Sequence, residues 1–175
     1  WKGVHLAVRS VALARAEGAD VTLTVLGEGP FAARLREFVT EQEMHDYVTL
    51  IGSVPTLDDV SELYDSHDMF VFPSLHESGG MAPIEAMAAG LPVVCLDLGG
   101  PGVTVTDSTG IRVRADNHKE AVRGLAQAVA RLASNPAQRR AMGMNGRARV
   151  HDYYDWDIRA AEIEKVLAST GRSPD

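Results

Sequence analysis

Five short apolar runs alternate along this chain with segments of helical periodicity. The runs lie at 21–26, 47–51, 69–72, 92–96 and 111–113, and glycine, proline or a polar cluster follows most of them. They read as short, largely continuous apolar strands, the pattern of strands covered on both faces. Between and after them, 4–17, 31–42, 57–66, the segment around Glu85, 117–132, 136–150 and 156–168 read as helices. Leu6, Val8, Val11, Leu13 and Ala14 recur at helical spacing in the first. Pro30 opens the second, Asp58 and Asp59 occupy the first turn of the third, and Asn117 caps the helix after the last strand. Strand–helix alternation of this kind predicts a Rossmann-like α/β domain, a parallel sheet sandwiched by helices with right-handed crossovers, followed by C-terminal helices. No linker divides the 175 residues, so 1–175 reads as one domain.

Ligands of open parallel sheets bind beyond the carboxyl ends of the strands. Glycines and polar residues collect at 27–29, 52–53, 74–80 and 99–100, each just after a predicted strand. They therefore converge on one edge and point to one cleft.

The richest cluster is His76-Glu77-Ser78-Gly79-Gly80-Met81-Ala82-Pro83-Ile84-Glu85. Gly80 near a helix N-cap would leave the N–H groups from Met81 onward free, at the positive end of the helix dipole. Glycines at 79 and 80 let a ligand approach the backbone, and Pro83 loses nothing in a first turn. That is a plausible phosphate site. Glu85 is the only charged residue between Ser78 and Leu96. Two readings stand side by side: Glu85 pairs with a buried arginine, or it faces the cleft and accepts hydrogen bonds from vicinal hydroxyls.

A net charge of -7 argues against a nucleic-acid binder, which needs a basic face. Arg139, Arg140, Arg147 and Arg149 read as a solvated helix face. The lone Cys95 excludes an internal disulfide and favours a reducing compartment. No apolar run approaches the ~20 residues of a membrane span. The six histidines show no metal-ligand spacing; His5 reads as helix surface and His76 as a candidate lining of the cleft.

Phe72-Pro73-Ser74, then Glu77-Ser78-Gly79-Gly80-Met81, then Glu85-Ala86-Met87-Ala88-Ala89-Gly90-Leu91-Pro92-Val93-Val94, resembles the signature of the family 4 (group 1) glycosyltransferases. Lys2-Gly3, Leu26-Gly27-Glu28-Gly29-Pro30, Gly52-Ser53-Val54 and Tyr154-Asp155-Trp156 agree with it, so the resemblance covers essentially the whole chain. It implies the donor-binding, C-terminal half of a GT-B enzyme. That enzyme would be a retaining, metal-independent hexosyltransferase moving a sugar from a UDP-, GDP- or ADP-sugar to a glycan, lipid or small-molecule acceptor, with no cofactor. Carried over by residue, Glu77 contacts the transferred sugar, Glu85 the ribose, Lys2 the diphosphate, and backbone around Gly79, Gly80 and Met81 the sugar or diphosphate. Val54 lies in the base-contacting loop, and Gly27 permits close approach to the diphosphate. The resemblance places an N-terminal acceptor domain, a first strand and an arginine ahead of Trp1, so a gap in the sheet and an inactive isolated chain are expected. It implies a cytoplasmic protein, reaching the inner membrane only peripherally and through the missing part. Alternatives of the same fold are a nucleotide-sugar epimerase and a non-catalytic nucleotide-binding module.

Two motifs are read as decoys. Gly27-Glu28-Gly29-Pro30-Phe31-Ala32 matches a dinucleotide fingerprint, but the next strand lacks the acid that fingerprint requires. Asp155-Trp156-Asp157 resembles a metal-binding D-x-D, yet Asp155 is better placed as a helix cap, with Trp156 as a packing anchor.

Overall fold

The computed structural model describes residues 1–169. Strands β1 (Leu23–Leu26) and β2 (Val48–Gly52) pair in parallel, with Val25 opposite Leu50. Strands β3 (Phe70–Phe72), β4 (Val93–Leu96) and β5 (Gly110–Val113) form a second parallel sheet in that order, Val94 lying between Val71 and Ile111. The parallel strands and flanking helices are those expected, and the strands form two sheets with a break between β1 and β3, where the resemblance implied a gap. Alternating runs specify parallel strands without specifying their neighbours. Here β1 and β3 share no ladder; His67 Nε2 and Thr24 Oγ1 meet at 2.9 Å instead.

Helix α1 (Val4–Ala16) ties the two sheets together. Its Leu6 packs with Val94, Leu96, Val113 and Leu125, the last from α6 (His118–Ala133). Its Val8 packs with Val48 of β2 and Val39 of α2 (Ala32–Glu41). Side chains alternate across a strand, so Val93 and Cys95 point the other way. They meet Ala86 and Met87 of α4 (Met81–Ala88), with Tyr64 of α3 (Leu57–Asp65) and Val150 of α7 (Pro136–Tyr154) alongside. Burial pushes the Cys95 thiol up to about 12, so it is an inert core residue.

The helix ends follow from sequence chemistry. Thr56 and Asp59 form a reciprocal capping box on α3, and Asn117 Oδ1 accepts from Glu120 N–H at 3.0 Å on α6. Residues 99–102, one of the glycine clusters that follow a strand, open a short helix, α5 (Gly99–Thr104). Its geometry is fixed from outside, because Gly100 N–H donates to the Glu77 carbonyl at 2.9 Å. Helix α8 (Trp156–Ser169) starts as expected, Asp155 Oδ1 accepting from Asp157 N–H at 2.9 Å. Trp156 is 82% exposed, so it anchors nothing within these residues, contrary to expectation.

Of the four arginines of α7 read as a solvated face, Arg140 is exposed as expected and the other three bond to neighbouring elements. Arg139 donates to the Leu132 and Ala133 carbonyls, Arg147 to Ala88 and Ala89, and Arg149 to Thr104. Each guanidinium closes the carbonyl end of another helix: α6, α4 and α5. The carbonyl end carries the negative pole, so a cation there is stabilising. Close approach makes this possible. A Cβ on Gly143 would stand 1.9 Å from the Gly90 carbonyl oxygen, so α7 lies against the end of α4 only through glycine.

Candidate functional site

The carboxyl ends of the strands carry the residues singled out from the sequence, in two groups. On the three-strand sheet, β3 ends at Phe72, and the loop that follows holds Glu77, Gly79 and Gly80 before α4 begins at Met81. On the two-strand sheet, Gly27 follows β1 and Val54 follows β2.

The first group is knit by direct bonds. The Lys2 ammonium donates to Glu77 Oε2 at 2.5 Å and lies 5.7 Å from the centre of the Phe72 ring. Leu75 N–H donates to the Trp1 carbonyl at 2.9 Å, and Ser74 Oγ donates to it at 3.4 Å, which fixes the backbone beside Lys2. The hydrogen bond from Lys2 holds the Glu77 carboxyl below the ordinary carboxylate range; the Lys2 charge and the Gly80 N–H act the same way, and desolvation opposes them. Glu77 is therefore an anion held beside a cation at the start of α4.

Gly80 is the N-cap, at φ 71°. Only glycine adopts that conformation freely, and a Cβ would press on Glu77 Cγ and Pro101 Cγ, both at 3.3 Å. Gly80 is therefore buried beneath the Glu77 and Pro101 side chains, while Met81, the first residue of α4, is exposed.

Glu85 sits one turn further along α4 and is exposed. Its partner is not an arginine. Tyr64 Oη donates to Glu85 Oε2 at 3.3 Å, and no ion pair to Glu85 occurs among the described residues. That rules out the buried-arginine reading within residues 1–169. Sequence reasoning passed over Tyr64. Its signal was a polar-tipped aromatic on a helix face with Val60 and Leu63.

The second group is looser. Gly27 N–H donates to the Gly52 carbonyl at 2.5 Å, joining the loops after β1 and β2. A Cβ on Gly27 would meet nothing within 4 Å, so space remains above it. Val54 is half-buried and lines a cavity of about 460 Å³ with Ile51, Pro55, Asp59, Glu62 and Leu63 among its walls. No bond ties Gly27 or Val54 to Lys2, Glu77 or Glu85 among the described residues. His76 is exposed and its ring lies 5.7 Å from that of Trp1. His5 is exposed as expected, 5.8 Å from the His118 ring. Among the described residues no three of His, Cys, Asp and Glu gather as a metal cluster, and no helix is long and apolar enough to cross a membrane.

Residues 1–149 match the family described as glycosyl transferases group 1. The chain belongs to that family. A curated relative, the D-inositol 3-phosphate glycosyltransferase of Pseudarthrobacter chlorophenolicus, is 35% identical over 98% of this chain and 41% of its own length. The chain therefore spans about two fifths of that relative. Among solved structures, it is similar to the pneumococcal O-GlcNAc transferase GtfA in complex with UDP and GlcNAc. There the TM-score is 0.82 at 20% identity, over 98% of this chain and 34% of that one. It is also similar to the C-terminal domain of a group 1 family protein, LpcC, from Francisella tularensis. There the TM-score is 0.77 at 22% identity, over 89% of this chain and 80% of that one. The fold of this group 1 chain is accordingly that of GT-B glycosyltransferase structures.

Proposed function

We propose that this group 1 chain is the donor-binding half of a retaining, metal-independent glycosyltransferase using a UDP-, GDP- or ADP-hexose. The observation that carries the reading is the cluster at the start of α4. A cation (Lys2), a carboxylate (Glu77) and a glycine-capped helix N-terminus (Gly80, Met81) stand together, with a second carboxylate (Glu85) one turn on.

In this reading the α4 N–H groups and Lys2 bind the diphosphate, Gly79 and Gly27 let it approach, Glu85 accepts from the ribose hydroxyls, and Val54 borders the base. Glu77 accepts from hydroxyls of the transferred sugar. Transfer breaks the bond between the anomeric carbon and the diphosphate oxygen. The acceptor oxygen bonds that carbon on the same face, and its proton leaves with the diphosphate. Negative charge building on the diphosphate is offset by Lys2 and the helix end, which are fixed before the reaction and need no reorganisation. The acceptor and the groups that hold it belong to an N-terminal acceptor domain, so residues 1–175 alone bind nucleotide and transfer nothing. The same reading lays one more parallel strand between β1 and β3, beside the point where Leu75 N–H meets the Trp1 carbonyl.

Titration calorimetry with UDP, GDP and ADP tests the site. One of the three is expected to bind, and Glu85→Ala to weaken that binding about tenfold or more. Failure of all three at millimolar concentration, or an unchanged affinity in Glu85→Ala, overturns the assignment.

A further inference from the structure

Helix α3 is amphipathic yet buries none of its residues fully. One of its side chains is nevertheless held in place. The Tyr64 ring meets Phe70 edge-on, with centroids 5.7 Å apart and planes at 73°. Phe70 in turn stacks on Phe72 at 5.9 Å and 23°. These three rings line the side of the core on which Ala86 and Met87 anchor α4. The ring is thus fixed by packing, and its hydroxyl emerges at Glu85 Oε2, 3.3 Å away.

Glu85 has three rotatable bonds and an exposed carboxylate. Tyr64 is its hydrogen-bond partner among the described residues. We propose that Tyr64 is a positioning residue for Glu85: its hydroxyl fixes one carboxylate oxygen, so that the carboxylate is pre-set to accept two hydroxyls of a ribose diol. The inference rests on the reading of Glu85 given above and adds to it the residue that orients the carboxylate.

The choice of donor has a physical reason. A lysine or arginine here would fix the carboxylate as well, but would compete with the ligand for its charge. A phenol donates one hydrogen bond and leaves that charge in place. Burial, with the neighbouring Glu85 charge and hydrogen bond, pushes the Tyr64 hydroxyl up to about 12, so it remains a protonated donor across the physiological range. Pre-setting a flexible side chain removes part of the ordering cost that binding would otherwise carry.

The test is Tyr64→Phe, which keeps the ring and removes only the hydroxyl. Affinities are measured by calorimetry for UDP and 2′,3′-dideoxy-UDP, with the guanosine and adenosine pairs run alongside. Y64F is expected to weaken the ribonucleotide that binds by roughly three- to tenfold and to leave its dideoxy counterpart unchanged. In a Glu85→Ala background Y64F should have no further effect. Equal weakening of both nucleotides would mean that Tyr64 acts only through packing, and no weakening of either would mean that the bond is idle; either result overturns the proposal. The two readings fail separately. If Glu85→Ala lowers affinity and Y64F does not, only the positioning role falls. If Glu85→Ala changes nothing, the ribose assignment falls and this inference with it.

Discussion

Strands β4 and β1 are both short apolar runs, and the structure treats them differently. Every residue of β4 is buried, whereas in β1 none is: Leu23, Thr24 and Val25 are half-buried and Leu26 is exposed. The helices that follow their partner strands, α4 after β3 and α3 after β2, differ in the same sense. Helix α4 buries Pro83, Ala86 and Met87, and α3 buries none of its residues. Composition does not separate the two regions; neighbours do. Strand β4 has a ladder on each edge and helices on each face, while β1 has one ladder. Side-chain burial in a sheet is set by what stands next to the strand, and the polar cluster of Lys2, Glu77 and Gly80 is built on the region where that support is complete.

The sharpest way to break this comparison is to cut the same amount from a leucine in each region. Leu125 is fully buried against Leu6, Val94 and Val113. Leu125→Ala removes buried methyl groups and leaves a cavity, at a cost of about 2–5 kcal/mol in urea unfolding. Leu57, at the start of α3, is 86% exposed, and Leu57→Ala should stay within about 0.5 kcal/mol. Similar losses at the two positions would show that the contrast between the regions does not govern stability.

A smaller effect separates two arginines of one helix. Arg147 donates to the Ala88 and Ala89 carbonyls at the end of α4, and Arg140 is exposed. Arg147→Ala should cost about 1 kcal/mol, the net worth of such bonds at an exposed site, with Arg140→Ala close to neutral. Equal values, measured by the same unfolding assay, would mean that the α7 guanidiniums do not support α4.

Much of the fold was readable in order along the chain. The strand and helix positions follow from periodicity and caps, and Asn117 and Asp155 cap as their chemistry dictates. What was not readable is whatever depends on neighbours across space. The separation of β1 from β3 leaves no mark in the periodicity; the resemblance alone, which places a strand ahead of Trp1, implied a gap in the sheet. The arginines of α7 look like any solvated row until the ends of α6, α4 and α5 are placed beneath them. Trp156 has the composition of an anchor and lies open. In the site, Glu85 stood out because it was the lone charge in an apolar stretch. Tyr64 did not, since its contact with Glu85 joins residues 21 positions apart.

The least of the expected effects, and the most specific to the site, is electrostatic. Glu77 is held below its ordinary value first by the hydrogen bond from Lys2. A carboxyl lowered in the native state adds stability above its unfolded value of 4.5, and loses it as pH falls through the lower native value. The contribution is small, because the Lys2 side chain is 63% exposed and solvent screens the pair. Lys2→Ala should therefore barely change stability at neutral pH, yet move the Glu77 carboxyl titration, followed by carbon NMR, upward toward 4.5. The Gly80 N–H remains in that variant and should keep part of the depression. A Glu77 titration that does not move on removal of Lys2 would mean that the loop and helix end, rather than the cation, hold the carboxylate. The well-supported region would then orient its anion through backbone alone.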